Sequence, residues 1–372
     1  MNSRERVEKT LNHQEPDKVP IDLGGLVTTI EAEAYEDLKR YLHLKTETMV
    51  MIRAHVAPDE EVLKKFEIDT RYLWPYPTQK WVDVNKQDTI VDSWGIKWYR
   101  AKGSYYFDPI EHPLANCTYN ELKYYQYPNL WNKEYEKEMA NKAERLYKDT
   151  DYFLIADSLG VGIFETAWLL RGFENFMIDL ILNKHFANKL LDIILEQKKD
   201  FFGKFLDVVG SYVGMVMCTD DLASQRGLLI SPKVYREMIK PRHKELYSFI
   251  KGKVDAKLFH HSCGAVRDLI DDLVDVGVDV LNPIQVSAKN MGTKSLKQDF
   301  GEKVVFWGGG CDTQKVLPFG TPKEVYAEVK ERISDLKPGG GFVFTQVHDI
   351  QPNTPPKNLI AMYDSVIKHR NY

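Results

Sequence analysis

Short apolar runs alternate along this chain with longer stretches whose apolar positions recur at three- and four-residue spacing. The first kind reads as buried strands and the second as amphipathic helices. Strand candidates fall at Asp17–Leu23, Ile68–Trp74, Tyr152–Ala156, Val213–Cys218, Ala256–Phe259, Val278–Asn282, Val304–Trp307 and Gly341–Val347. Each is followed by a helical stretch. Those stretches include 30–41, 59–66 entered through Pro58, 133–148, 164–182 broken at Gly172, 185–209, 231–252, 265–276, 296–300, 322–336 and 356–368. A helix over 2–13, with Ser3 as its N-cap, precedes them all. Strand–helix alternation of this kind predicts a parallel sheet. Eight such units predict an α/β fold closed into a (β/α)8 TIM barrel, with 1–372 as a single domain. An open doubly wound sheet is the alternative, and no GxGxxG follows the first strand to support it.

The pattern changes between residues 80 and 106. WVDVNKQDTIVDSWGIKWYR alternates polar and apolar and is rich in Trp, Tyr, Val and Ile, which predicts an inserted antiparallel β segment. The aromatic residues there and beside it are Trp74, Tyr76, Trp81, Trp94, Trp98, Tyr105, Tyr106 and Phe107. They pack an insert or line a pocket for a planar ligand.

Composition narrows the setting. Lys plus Arg is 50 and Asp plus Glu is 54, a net charge of −4. That balance gives no basic excess for nucleic acid and no basic run for a membrane surface. No apolar run approaches the roughly 18 residues needed to cross a bilayer. The first twenty residues carry charges throughout and lack the apolar core of a signal peptide. Four cysteines are too few for a disulfide scaffold, so a reducing cytoplasm is the expected setting.

In a barrel the strand ends converge on one mouth, so the residues that follow each strand form a candidate site. The fifth strand runs into His260-His261-Ser262-Cys263-Gly264, an imidazole and a thiol two residues apart. Cys311 follows the seventh strand after Gly308-Gly309-Gly310, a run that would let backbone approach a site closely. His261, Cys263 and Cys311 are ligand types that zinc prefers, and three protein ligands leave a fourth position open. His348, after the eighth strand, competes with Cys311 as third ligand. The plain alternative makes the cysteines half-buried hydrophobes and His261 a hydrogen-bonded turn residue. Asp220 and Asp221 are acid/base candidates, one of the two being expected instead to cap a helix. Glu165, in the first turn of the helix after strand three, is a further acid/base candidate, its alternative being a dipole-favoured surface Glu. His348 is a catalytic candidate as well as a ligand candidate. Trp168, Asn282 and Gln314 complete the expected site as substrate-binding residues.

Taken together, SRERVEKTLNHQEPDKVP, Ile68-Asp69, GIFETAWLLRG, SPKVYREMIKP, FHHSCGAV, GVDVLNPIQ, FWGGGCDTQ and VHDIQPNTPPKNLIAMYD resemble the uroporphyrinogen decarboxylase superfamily nearly end to end. The resemblance implies a (β/α)8 barrel. The true decarboxylases carry arginines after strand one, an Asp after strand two, a Tyr after strand three and a His after strand eight. Here Gly24–Thr29 lacks arginine, RYLWPYP lacks Asp, Trp168 stands at the Tyr position, and only the final His is kept, as His348. A site for many carboxylates without its arginines would leave charges unpaired, which argues against uroporphyrinogen as substrate.

The other branch, the cobalamin-dependent methyltransferases, carries His-x-Cys after strand five plus a distant Cys as a zinc motif. His261 and Cys263 match in place and type, whereas for the third ligand Cys311 fits by residue type and His348 by position. This resemblance implies a zinc-dependent methyltransferase. It would move a methyl group between a small substrate (a methoxylated aromatic or a thiol) and the cobalt of cobalamin on a separate corrinoid protein. No DxHxxG stretch suggests a built-in corrinoid domain. A metal-free decarboxylase-like enzyme acting on a tetrapyrrole or organic acid, and a non-catalytic binding barrel, remain as alternatives. A homodimer is left open.

Overall fold

The structure, a computed structural model, describes residues 1–80, 89–104, 106–158 and 160–372. Seven parallel strands form one curved sheet: Thr70–Leu73, Phe153–Ala156, Met215–Thr219, Lys257–His261, Val280–Asn282, Val305–Trp307 and Phe342–Val343, each beside its sequence neighbour. Segment 20–22 closes the ring. Ile21 bridges Phe344 in parallel, with Asp22 N–H donating to Phe344 O at 2.8 Å and Phe344 N–H to Pro20 O at 2.9 Å. On its other side Asp69 N–H donates to Ile21 O at 2.8 Å, and the Asp69 carboxylate accepts the Ile21 N–H at 2.9 Å. All eight strand positions expected from the apolar runs are therefore occupied, the first as a short bridge completed by a side chain.

Two cores result. The smaller fills the barrel with Tyr72, Phe153, Ile155, Met215, Met217, Phe259, Val280, Val305, Trp307 and Val343. These are alternate positions on their strands, the period-two inward series of a closed sheet. Val7 and Leu11 on the helix Ser3–Leu11 plug the bottom. Arg6 holds that helix there through Asp69 at 2.6 Å. Its N-cap is Asn2, in a capping box with Glu5, not Ser3; the Ser3 hydroxyl is spent on Asp69 at 2.7 Å. The larger core lies between the sheet and the helical layer.

The helix expected over 231–252 contains a π-helical stretch, Tyr235–Ile239. The insert is antiparallel as expected: Thr89–Val91, Lys97–Tyr99 and Asp108–Glu111 form one sheet. The hairpin Met49–Ile52/His55–Ala57, which also pairs with Gln79–Lys80, was not expected. Trp81 and Tyr105 lie outside the described residues. No described helix is long and apolar enough to cross a membrane.

Candidate active site

Extending the inward series by two residues places side chains in the mouth. Phe259 leads to His261 and Val280 to Asn282, and these two are register partners on neighbouring strands. Asn282 Oδ1 lies 2.5 Å from His261 Nδ1. The Asn282 amide is oriented by its Nδ2, which donates to Trp307 O at 2.8 Å. Its oxygen therefore accepts, Nδ1 carries the hydrogen, and the Nε2 lone pair of His261 faces the mouth. Cys263 Sγ lies 3.4 Å from that Nε2.

The turn that carries Cys263 is clamped on both sides. Ser262 N–H donates to Asn282 O at 2.8 Å, and Ala265 N–H to Ser224 O at 2.9 Å. Gly264 has φ +91°, and a Cβ there would come within 2.6 Å of Ser224 O, so the turn requires glycine. His348 arrives from strand eight with its ring edge-on to His261, centroids 5.5 Å apart. Ligand atoms of His261, Cys263 and His348 all lie within 4.8 Å of one another. Burial pushes both imidazoles below their ordinary pKa, into the neutral form that binds metals. Burial, followed by the Asp221 and Glu165 carboxylates, pushes the Cys263 thiol well up. The donor set of two neutral imidazoles and one thiol fits zinc, with a supporting amide behind His261.

Cys311 does not join them. It is fully buried on the other side of the backbone, its Sγ directed at Glu328 on the helix Pro322–Leu336, 3.5 Å away. The glycine run before it serves packing: a Cβ on Gly310 would sit 2.3 Å from the Phe344 ring, and one on Gly309 would sit 2.7 Å from Ile284. Of the two third-ligand candidates, only His348 stands with His261 and Cys263. Cys218, at the end of strand four, likewise faces outward, where it lines a small cavity with Lys198 and Tyr247.

The carboxylates divide by role. Asp220 has no exposed surface. Its oxygens accept Phe164 N–H and Glu165 N–H at 2.9 Å each, and His243 Nε2 lies 2.9 Å away. It anchors the N-terminus of the helix Ile163–Arg171, held there by these three partners with no surface exposed to the mouth, which corrects the acid/base expectation for this residue. Gly162 permits that approach, since a Cβ there would lie 2.0 Å from Thr219 O. Asp221 faces the mouth. Its Oδ1 accepts Cys263 N–H at 2.7 Å and lies 3.9 Å from His261 Nε2. Glu165 Oε2 accepts Asp221 N–H at 3.0 Å. Burial first, then Asp221 and Asp220, push the Glu165 carboxyl well above its usual range, and burial likewise raises Asp221.

A cavity of about 310 Å³ opens in front of this cluster. Glu165, Asp221, His261, His348 and Asp349 line its floor, and Tyr76, Trp94 and Trp98 its wall. Trp168 and Gln314 do not line it. Trp168 packs edge-on against Phe173, and Gln314 reaches Ser287 at 3.2 Å. Asn282 acts on His261, not on the cavity. Two residues without a sequence signal also lie here. His55, on the unexpected hairpin, is 3.1 Å from Asp349 and 3.6 Å from Glu31, and Arg53 lies at the turn of the same hairpin.

A parallel eight-unit barrel with its polar cluster at the strand ends defines an enzyme scaffold whose chemistry sits at the C-terminal face. The family described as uroporphyrinogen decarboxylase (URO-D) matches residues 158–369, more than half of the chain. The protein belongs to that family. A solved methyltransferase from Methanosarcina mazei is 19% identical over 99% of both chains, with a TM-score of 0.65, a likeness of fold. Xylanase 10B from Thermotoga maritima is 13% identical over 69% of this chain and 84% of its own, with a TM-score of 0.39, too low to carry an argument. No curated protein matches the chain.

Proposed function

We propose that the protein is a zinc-dependent methyltransferase that exchanges a methyl group between a small methoxylated aromatic and a separate corrinoid protein. The observation that carries this reading is the convergence of His261, Cys263 and His348 within 4.8 Å, in a mouth without the decarboxylases' arginine loop after strand one. Zinc held by these three residues would supply a Lewis acid at the heteroatom that gives or takes the methyl group, and a partner-borne cobalamin would supply the other methyl carrier.

The chain's own residues do the remainder. Asn282 keeps His261 Nε2 unprotonated and aimed into the mouth. Cys263 would hold the ion as its thiolate, its proton passing to solvent. Burial, followed by the neighbouring Asp221 and Asp220 carboxylates, pushes the Glu165 carboxyl well above its usual range, which favours its protonated form. A heteroatom that loses a methyl group keeps the bonding electron pair, and Glu165 returns a proton to it. Tyr76, Trp94 and Trp98 offer aromatic faces to a planar substrate. The cavity has room for a small aromatic molecule.

The test is a single-turnover assay. Zinc-loaded protein, excess reduced cobalamin and a panel of methoxylated aromatics are mixed, and the cobalamin spectrum is followed. Methylcobalamin formation that depends on protein and on Cys263 supports the reading. No conversion with the panel, nor with methylated thiols, contradicts it.

A further inference from the structure

Arg53 is the one arginine that lines the mouth cavity among the described residues. It sits at the turn of the hairpin Met49–Ile52/His55–Ala57 with φ +53°, a left-handed conformation that a residue with a long side chain adopts rarely. Backbone bonds fix the turn: Ala32 N–H donates to Ala54 O at 2.8 Å, and Val56 N–H to Ile30 O at 3.1 Å. The guanidinium lies 4.9 Å from the Trp98 ring centre and 5.5 Å from that of Phe107. Stacking thus holds the cation with its five N–H donors presented as a fork.

No carboxylate among the described residues pairs with it. Asp92 is near, but its Oδ1 accepts Trp94 and Ile96 N–H at 2.9 and 3.0 Å, and its Oδ2 accepts the Trp98 indole at 2.8 Å. Asp349 is committed to His55 at 3.1 Å and Thr29 N–H at 2.9 Å. Glu31 lies against His55. Glu165 and Asp221 belong to the cluster at Cys263. A positioned guanidinium with no carboxylate partner among the described residues, in the same cavity as the metal-ligand cluster and beside its aromatic wall, is a docking point for a planar anion.

We propose that Arg53 binds a carboxylate on the substrate, so that the substrate class is the methoxylated aromatic acid and not the neutral aromatic ether. This rests on the methyltransferase reading for what happens to the methoxyl group, though not for the binding itself. The carboxylate would form a two-pronged hydrogen bond with the guanidinium, while the ring lies against Trp94 and Trp98 and the methoxyl group faces His261 and Cys263.

The experiment needs no turnover. Titration calorimetry on the purified full chain uses 3-methoxybenzoate and 3-methoxyphenol as probes. R53N keeps a residue that tolerates positive φ, and R53K keeps the charge without the fork. The wild type should bind the benzoate at least 10-fold more tightly than the phenol. R53N should weaken the benzoate roughly 10- to 100-fold, the span of a bidentate charged bond, and leave the phenol within about twofold. R53K should fall between. A wild type that binds the benzoate no better than the phenol overturns the proposal, and so does an R53N that binds it as the wild type does. If the discrimination appears and no methyl transfer follows, the carboxylate site stands and the methyltransferase reading fails.

Discussion

Asn282 Oδ1 accepts a hydrogen bond from His261 Nδ1 across 2.5 Å, from the neighbouring strand and in direct register. The bond settles which imidazole nitrogen is free, and that nitrogen is the one beside Cys263 Sγ. N282A removes the bond and leaves the ring free to turn or change tautomer. Zinc affinity should fall about 10- to 100-fold, the usual effect of removing such a supporting group. Competition with a chromophoric chelator measures it, and an unchanged affinity would show that the register pairing has no role in metal binding.

Cys311 separates the structure's reading from residue type alone. C311A should retain the metal and lose only buried packing, about 1 kcal/mol of stability. Denaturant unfolding and metal analysis on the same sample check both halves. Loss of metal from C311A would restore it as a ligand and displace His348.

In the proposed reaction Glu165, its carboxyl pushed well up by burial, acts as the proton donor. E165Q keeps the shape and removes the titration, so zinc content should be unchanged while the single-turnover rate drops by about 100-fold or more, the usual weight of a general acid. A rate within a few-fold of wild type would leave Glu165 as a helix-end residue.

His55 is poised between two carboxylates. Burial alone would lower its pKa, but Glu31 and Asp349 override that and raise it to about 9. A histidine raised on folding stabilises the protein fully below its unfolded value of about 6.5, and the contribution is lost as pH rises through 9. Lys142 and Lys198, lowered by burial to about 8, work in the opposite sense from about 8 upward. The comparison must therefore be wild type minus H55Q. That difference in unfolding free energy should shrink steadily from pH 6.5 to 9, and a flat difference would contradict the ion-pair assignment.

Much of the fold is legible in the chain because apolar runs report burial on both faces of a parallel strand. Eight of them suffice to place eight strand positions. The site is legible only in part. His261, Cys263, Asp221, Glu165 and His348 sit just past strand ends, and strand order alone brings them to one mouth. Asp220 and Cys311 occupy the same kind of position, yet each turns away. The choice depends on backbone glycines and helix-end donors: Gly162 lets Asp220 reach Phe164 and Glu165 N–H, and Gly308-Gly309-Gly310 swings Cys311 behind the sheet. Neither effect has a period in the sequence. Arg53 and His55 lie in an irregular stretch whose hairpin pairs with Gln79–Lys80 nearly thirty residues on, and such long-range pairing carries no local signal.

In the proposed enzyme His261, Cys263 and His348 would hold a catalytic metal. The most direct measurement is the zinc content of the purified full chain by emission spectroscopy, for wild type, C263A and H348A. About one zinc per wild-type chain is expected, with a large loss in both variants and folding intact by circular dichroism. A wild type that takes up no zinc when the metal is supplied, or variants that keep it in full, would rule out these three residues as the metal site.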